Sequence, residues 1–169
     1  MEALHTSSLF DKSHAGSAHS SSGQYLSLRL GNEEYAIDIL RVQEIRSYEV
    51  PTKMVNSPSF VKGVINLRGV IVPIVDLRLK LNLAKVEYND FTVVIILNIG
   101  GMVVGAVVDG VSDVVTLHAE AIKPAPQFDS ALEARFIVGL ATLGERMLIV
   151  MNMDALMSNS EMGMVAAAL

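Results

Sequence analysis

The chain has no cysteine and no tryptophan. Without cysteine there is no disulfide framework and no thiolate metal site, so the fold must be held by its core. That composition fits a reducing compartment. The N-terminus lacks a basic start and an apolar stretch, so no secretory leader is read there and the expected location is the cytoplasm. Charge is scarce as well: Asp, Glu, Lys and Arg make up 18% of residues, and 13 basic against 18 acidic side chains leave a net charge of −5. A nucleic-acid binder normally carries a basic stripe, and none is present. Long hydrophobic runs are missing, with one near exception. Residues 91–108 form a stretch of 18, the shortest that can cross a bilayer as a helix. Asn98 and the Gly100-Gly101 pair interrupt it, and its β-branched content reads as a hairpin instead. What is abundant is aliphatic. Apolar residues make up 51% of the chain and the mean hydropathy is +0.42, ample for a core in 169 residues, which is one domain or two small ones.

The chain is organised around residues 60–77, FVKGVINLRGVIVPIVDL. Two β-like runs, 61–67 and 70–75, flank a tight Arg68-Gly69 step. Gly63 and Gly69 read as backbone requirements: a bulge or close approach at one, positive φ at the other. Pro73 has no N–H, which predicts an edge strand or a bulge. Asp76 is placed to cap a short helix over 77–83. Arg68 is a cation at the tip between two apolar strands. It is either a solvated turn residue or a contact presented by a rigid scaffold.

On either side of this stretch the pattern is all-β. Residues 1–23 are Ser-rich, carry His5, His14 and His19, and lack apolar periodicity; they read as a disordered tail. Strands are expected at 25–30 and 34–39 around a Gly31-Asn32 turn, then a helical turn at 38–41 and a strand over 42–48. In that last strand Val42, Glu44 and Arg46 share one face and Gln43, Ile45 and Ser47 the other; an ordinary amphipathic strand would turn Ile45 inward. After a loop at 50–59 and the central stretch, a polar segment at 85–90 marks a boundary. Strands follow at 91–99, 102–108 and 111–117, then a long connection through Pro124 and Pro126. A hairpin over 136–151 turns at Gly144-Glu145, and Asn152 is placed to cap a terminal helix. Residues 158–169 read as a loose tail.

The halves 24–84 and 85–157 look like copies. Gly31 aligns with Gly100, Val42 with Val111 and Glu44 with Asp113 at an offset of 69; Phe60 with Phe136, Gly63 with Gly139, Leu67 with Leu143 and Asp76 with Asn152 at 76. About five strands per half with short turns predict two small barrels, between which strands or the last helix can cross. Catalytic and metal signatures are lacking. His118 stands alone outside the tail, Gly100-Gly101 has no following Lys and Ser/Thr, and Asp109, Asp113 and Glu120 lack calcium-loop spacing. No enzyme, cofactor or metal is expected.

NLRGVIVPIVDLR at 66–78 resembles the signature of CheW-type chemotaxis coupling proteins, and YAIDILRVQEIRSYE at 35–49 and DGVSDVVTL at 109–117 extend the likeness. It runs from about Tyr25 to Met157. The regulatory domain of the kinase CheA and the first domain of CheV adaptors share these motifs. The resemblance implies two five-stranded, SH3-like barrels with a shared core. It also implies a non-catalytic adaptor that joins chemoreceptors to CheA, associated with membranes only through receptors. On this likeness Val42, Glu44, Ile45, Arg68 and Val111 match a groove that takes the cytoplasmic tip of a receptor. Lys123 and Phe128 match a surface that meets the CheA regulatory domain. Phe128 sits in a polar loop, where an aromatic either tucks back or anchors an interface. Gly63, Gly69 and Gly139 are expected to serve the fold. The alternative is a CheW-like regulatory module of a kinase or a CheV-type adaptor. A chain of 169 residues is expected to have no room for a further kinase or receiver domain.

Overall fold

The computed structural model describes residues 22–126 and 133–157. The C-terminal stretch 158–169, most of the N-terminal tail and Phe128 lie outside them. The strands are β1 (Ser22–Leu30), β2 (Glu33–Asp38), β3 (Val42–Ser47), β4 (Val61–Leu67), β5 (Val70–Asp76), β6 (Val93–Ile99), β7 (Met102–Val108), β8 (Gly110–His118), β9 (Ile122–Lys123), β10 (Ile137–Leu143) and β11 (Arg146–Met151). Two short helices, α1 (Leu77–Lys80) and α2 (Met153–Met157), follow β5 and β11. The all-β expectation holds.

Local chemistry accounts for the connections. Gly31 and Gly100 adopt positive φ in the two-residue turns of the β1–β2 and β6–β7 hairpins. Asp38 accepts the Leu40 N–H at 3.0 Å and starts the 3-10 turn Ile39–Arg41. Asp76 caps α1 through the Arg78 N–H, and Asn152 caps α2 through the Ala155 N–H. The expected helix over 77–83 stops at Lys80, where Leu81 takes a non-helical backbone. β1 begins at Ser22, inside the stretch read as tail, because β8 pairs with it as far as Ser22–His118.

The strands form a six-stranded sheet in the order β8-β1-β2-β11-β10-β9 and a five-stranded sheet in the order β3-β6-β7-β5-β4. A cut at 84/85 therefore separates strands that share a sheet. The first hairpin, β1–β2, belongs with the later strands, and the equivalent hairpin, β6–β7, with the earlier ones. Each half lends its first hairpin to the other. The copied pattern extends to single bonds: the Asp76 N–H donates to the Phe60 carbonyl and the Asn152 N–H to the Phe136 carbonyl, both at 2.8 Å. It also extends to parallel pairing of β5 with β7 and of β11 with β2.

Each sheet packs side chains into a cluster of its own and into a core shared with the other sheet. In the first, Ala36, Val115, Leu117, Ala141, Leu148 and Val150 form a cluster of their own, while Tyr35, Ile37 and Ile149 face a larger core shared with the second sheet. Leu67, Val72, Ile74, Val94, Ile96 and Val107 form the matching private cluster of the second sheet. Neither private cluster includes a helix residue, so each sheet rolls over its own side chains.

Pro73 corrects the edge-strand expectation, because β5 lies between β7 and β4. Its partner Val64 exchanges both backbone bonds with Thr52 instead. The parallel pairing with β7 starts only at Ile74, so no bond is asked of the missing N–H.

Candidate functional site

β3 is amphipathic, and its register shifts between Val42 and Glu44 against β6, leaving Gln43 as an extra residue. The alternation matches the sequence reading, with Val42, Glu44 and Arg46 half-buried. Ile45 points outward and is 42% exposed, which overturns the inward placement of an ordinary amphipathic strand.

The β4–β5 turn brings Arg68 to this strand. Arg68 and Gly69 both take positive φ, at 51° and 88°, and the Asn66 side chain accepts the Gly69 N–H at 2.7 Å. The Arg68 Nη2 donates to Glu44 Oε1 at 2.9 Å, and Arg46 Nη1 stands 3.9 Å from the same oxygen. Val70 and Ile71 lie beside the turn, half exposed. The result is an ion pair with an exposed guanidinium; Ile45 lies on the opposite face of β3 from Glu44, and Val70 and Ile71 lie on β5, just past the turn. A two-residue turn with positive φ at both places suits Asn-Gly; arginine there costs about 1–2 kcal/mol. The equivalent turn puts Gly144 at the position of Arg68, with φ 64°. The turn therefore does not require arginine.

The other half carries a related arrangement. Asp113, the counterpart of Glu44, accepts from Arg146 Nη2 at 2.9 Å and from the Ser27 hydroxyl at 2.7 Å. These bonds, Arg146 first, hold its carboxyl below the usual carboxylate range. Arg146 also bonds Glu34, and these partners raise its affinity for a proton. Val114 and Met147, the counterparts of Ile45 and Ile71, are likewise exposed. Sequence reasoning paired Asp113 with Glu44 by offset but missed Arg146, which stands two places past the residue aligned with Arg68.

Val42 and Val111 sit in different sheets and pack against the shared core. The structure thus joins Glu44 and Arg68 directly, sets Val42 and Ile45 on the same strand, and leaves Val111 on β8. Lys123 is exposed on β9, the edge of the six-stranded sheet. Its carbonyl lies against Gly139: a Cβ there would stand 2.4 Å from the Lys123 oxygen, just as a Cβ at Gly63 would stand 2.0 Å from the Thr52 oxygen.

A second group had no signal in the sequence beyond the Asp76 cap. Arg78 reads as one more cation on a short helix, yet its side chain is fully buried. It donates to Asp76 Oδ1 at 2.9 Å and Oδ2 at 3.0 Å, to Asp109 Oδ1 at 2.9 Å and to the Glu87 carbonyl, beneath the Tyr88 ring. Burial alone would lower its pKa; the bonds to Asp76 and Asp109 more than reverse this. Tyr88 donates to Asp76 at 2.6 Å, and burial followed by that bond raises its hydroxyl pKa.

Two open clefts, of about 660 and 980 Å³, are lined by other residues. The first borders the β1–β2 turn and Phe91, the second Tyr25, Leu40 and Pro124. Val42, Glu44, Ile45, Arg68 and Val111 line neither. Among the described residues no cluster of three or more His, Cys, Asp or Glu is arranged to hold a metal ion.

The profile of the CheW-like domain family matches residues 24–161. The chain is 56% identical to a chemotaxis protein CheW of Klebsiella aerogenes over 142 residues, covering 84% of this chain and 86% of that one. It is 36% identical to a probable chemotaxis protein CheW of Rhizobium etli, covering 82% and 89%. Among solved structures, the scaffolding protein TtCheW of Thermoanaerobacter tengcongensis superposes with a TM-score of 0.75 at 29% identity, covering 82% of this chain and 94% of that one.

Proposed function

The chain belongs to the CheW-like family, and from that premise we propose that it is a non-catalytic adaptor of bacterial chemotaxis, working in the cytoplasm and coupling methyl-accepting chemoreceptors to the histidine kinase CheA. The receptor tip meets β3 and the β4–β5 turn through Val42, Glu44, Ile45 and Arg68, with Val111 contributing from β8. Lys123 and Phe128 serve the contact with the CheA regulatory domain. Gly63, Gly69 and Gly139 keep the fold. Membranes are reached through receptors. No described helix is long and apolar enough to cross one.

Arg68 carries this reading. It is held in a backbone conformation that its equivalent fills with glycine, and its guanidinium is 68% exposed while bonding Glu44. An exposed pair contributes only about 0–1 kcal/mol, so stability does not account for it. A charge at the rim of an apolar surface fixes orientation and rejects wrong partners.

Arg68→Asn separates the two roles. It removes the strain and should leave stability unchanged or raise it by up to about 1 kcal/mol. Coupling, measured as co-sedimentation of CheA with receptor-containing membranes and as receptor-controlled kinase activity, should fall. Glu44→Ala should fold normally and behave likewise. Full coupling in both variants refutes the receptor surface.

A further inference from the structure

The chain crosses between the two sheets at two places: from β2 to β3 through Ile39–Arg41, and from β7 to β8 through Asp109. A short capped helix grips each crossing. α1 holds the second through Arg78 and Asp109, at 2.9 Å; α2 holds the first through Asp154 and Arg41, at 2.8 Å. Arg78 and Asp154 stand at the same place in the two halves, 76 residues apart, with the charges reversed.

The two grips differ in burial. The side chains of Arg78 and Asp109 are 0% and 24% exposed; those of Arg41 and Asp154 are 40% and 48% exposed. Arg78 is also bound to Asp76 and to the Glu87 carbonyl. Asp109 accepts the Gly31 N–H at 2.7 Å, and its own N–H donates to the Arg29 carbonyl. A continuous set of bonds thus runs from the end of β5 to the β1–β2 turn in the other sheet. At the first crossing the Arg41 guanidinium reaches Asp154 through one nitrogen.

We propose that the crossings are unequal joints. The Asp109 crossing is locked, the Ile39–Arg41 crossing yields, and small shifts of one sheet against the other open at the Arg41–Asp154 pair. An exposed ion pair biases such an equilibrium by at most about five-fold, whereas uncoupling a buried one costs at least about a hundred-fold. The shared core stays packed, which limits the motion to about 1–2 Å. β3 starts at Val42, immediately past the yielding joint, so a load on β3 reaches it first. That last consequence rests on the receptor reading of β3; the joints themselves do not.

Hydrogen exchange of the whole chain, read by mass spectrometry without any partner, tests the joints independently of function. Amides at 39–42 should exchange at least about tenfold faster than those at 109–111, relative to their intrinsic rates. In about 1 M sodium chloride, where the screening length falls to about 3 Å, exchange at 39–42 should rise two- to five-fold and that at 109–111 should not move. Asp154→Ala should reproduce the rise and abolish any further response to salt, while Arg41→Lys, which keeps the charge, should retain most of the protection. Equal protection of the two crossings overturns the proposal. So does a first crossing that ignores salt, or an Asp154→Ala variant that loses protection along the whole chain.

Discussion

Arg78→Met tests what the buried ionic group contributes. The substitution keeps length and apolar stem but removes the guanidinium that answers both Asp76 and Asp109. Asp76, fully buried, keeps only the Tyr88 hydroxyl and the Arg78 backbone N–H as donors. Leaving a buried charge without its counter-ion costs about 3–5 kcal/mol, a large share of the stability of a domain this size. Urea unfolding at about 25 °C should show that loss as a lower midpoint with an unchanged slope. The equivalent half supplies the rescue: Asn152 caps α2 with a neutral amide. Asp76→Asn together with Arg78→Met removes both buried charges and keeps the cap, so it should lose about 2 kcal/mol or less. A single variant within about 1 kcal/mol of the parent, or a double variant no better than the single, refutes the reasoning.

Two other perturbations probe the backbone and the second acid–base group. Gly63→Ala drives a Cβ into the Thr52 carbonyl and should cost about 2–4 kcal/mol, whereas Gly69→Ala, with φ +88° but no atom within 4 Å, should cost about 1 kcal/mol; a thermal melt of both checks the order. The Asp113 carboxyl titrates below its ordinary range because Arg146 and Ser27 bond its charged form. The stabilisation is present above the unfolded pKa and disappears as pH falls through the lowered one. Carbon NMR of the carboxyl should show the low midpoint in the parent and an ordinary one in Arg146→Ala; the same midpoint in both would remove the assignment.

The elements legible in the sequence were those set by local chemistry. Gly31-Asn32 and Gly100-Gly101 turned hairpins, Asp76 and Asn152 capped helices, and alternation in β3 placed Glu44 on the opposite side from Ile45. The two-fold copy was legible because both offsets survive in the turn and cap residues. The direction of Ile45 was not, since alternation gives two faces without saying which is covered. Arg78 was missed because no local pattern marks a buried cation: its partners Asp109 and Glu87 arrive from 31 and 9 residues away. The edge reading of Pro73 failed for a related reason. A missing N–H excludes a bond on one side of a strand, and Thr52, from the preceding loop, took the bonds of its partner Val64.

The exchange of hairpins explains how one repeated unit yields a body with unlike surfaces. Because β1–β2 and β6–β7 change places, both sheets contribute to the shared core, and neither half can bury its apolar faces alone. The body is held as one piece while its outer positions remain open to divergence. The turn at Arg68 and the turn at Gly144 show that divergence at a single equivalent place: one carries a guanidinium against Glu44, while in the other the cation stands two residues later, tied to Glu34 and Asp113. An adaptor benefits from this arrangement. Two partners seated on one body are held at a high local concentration, so contacts that are modest alone assemble a complex together.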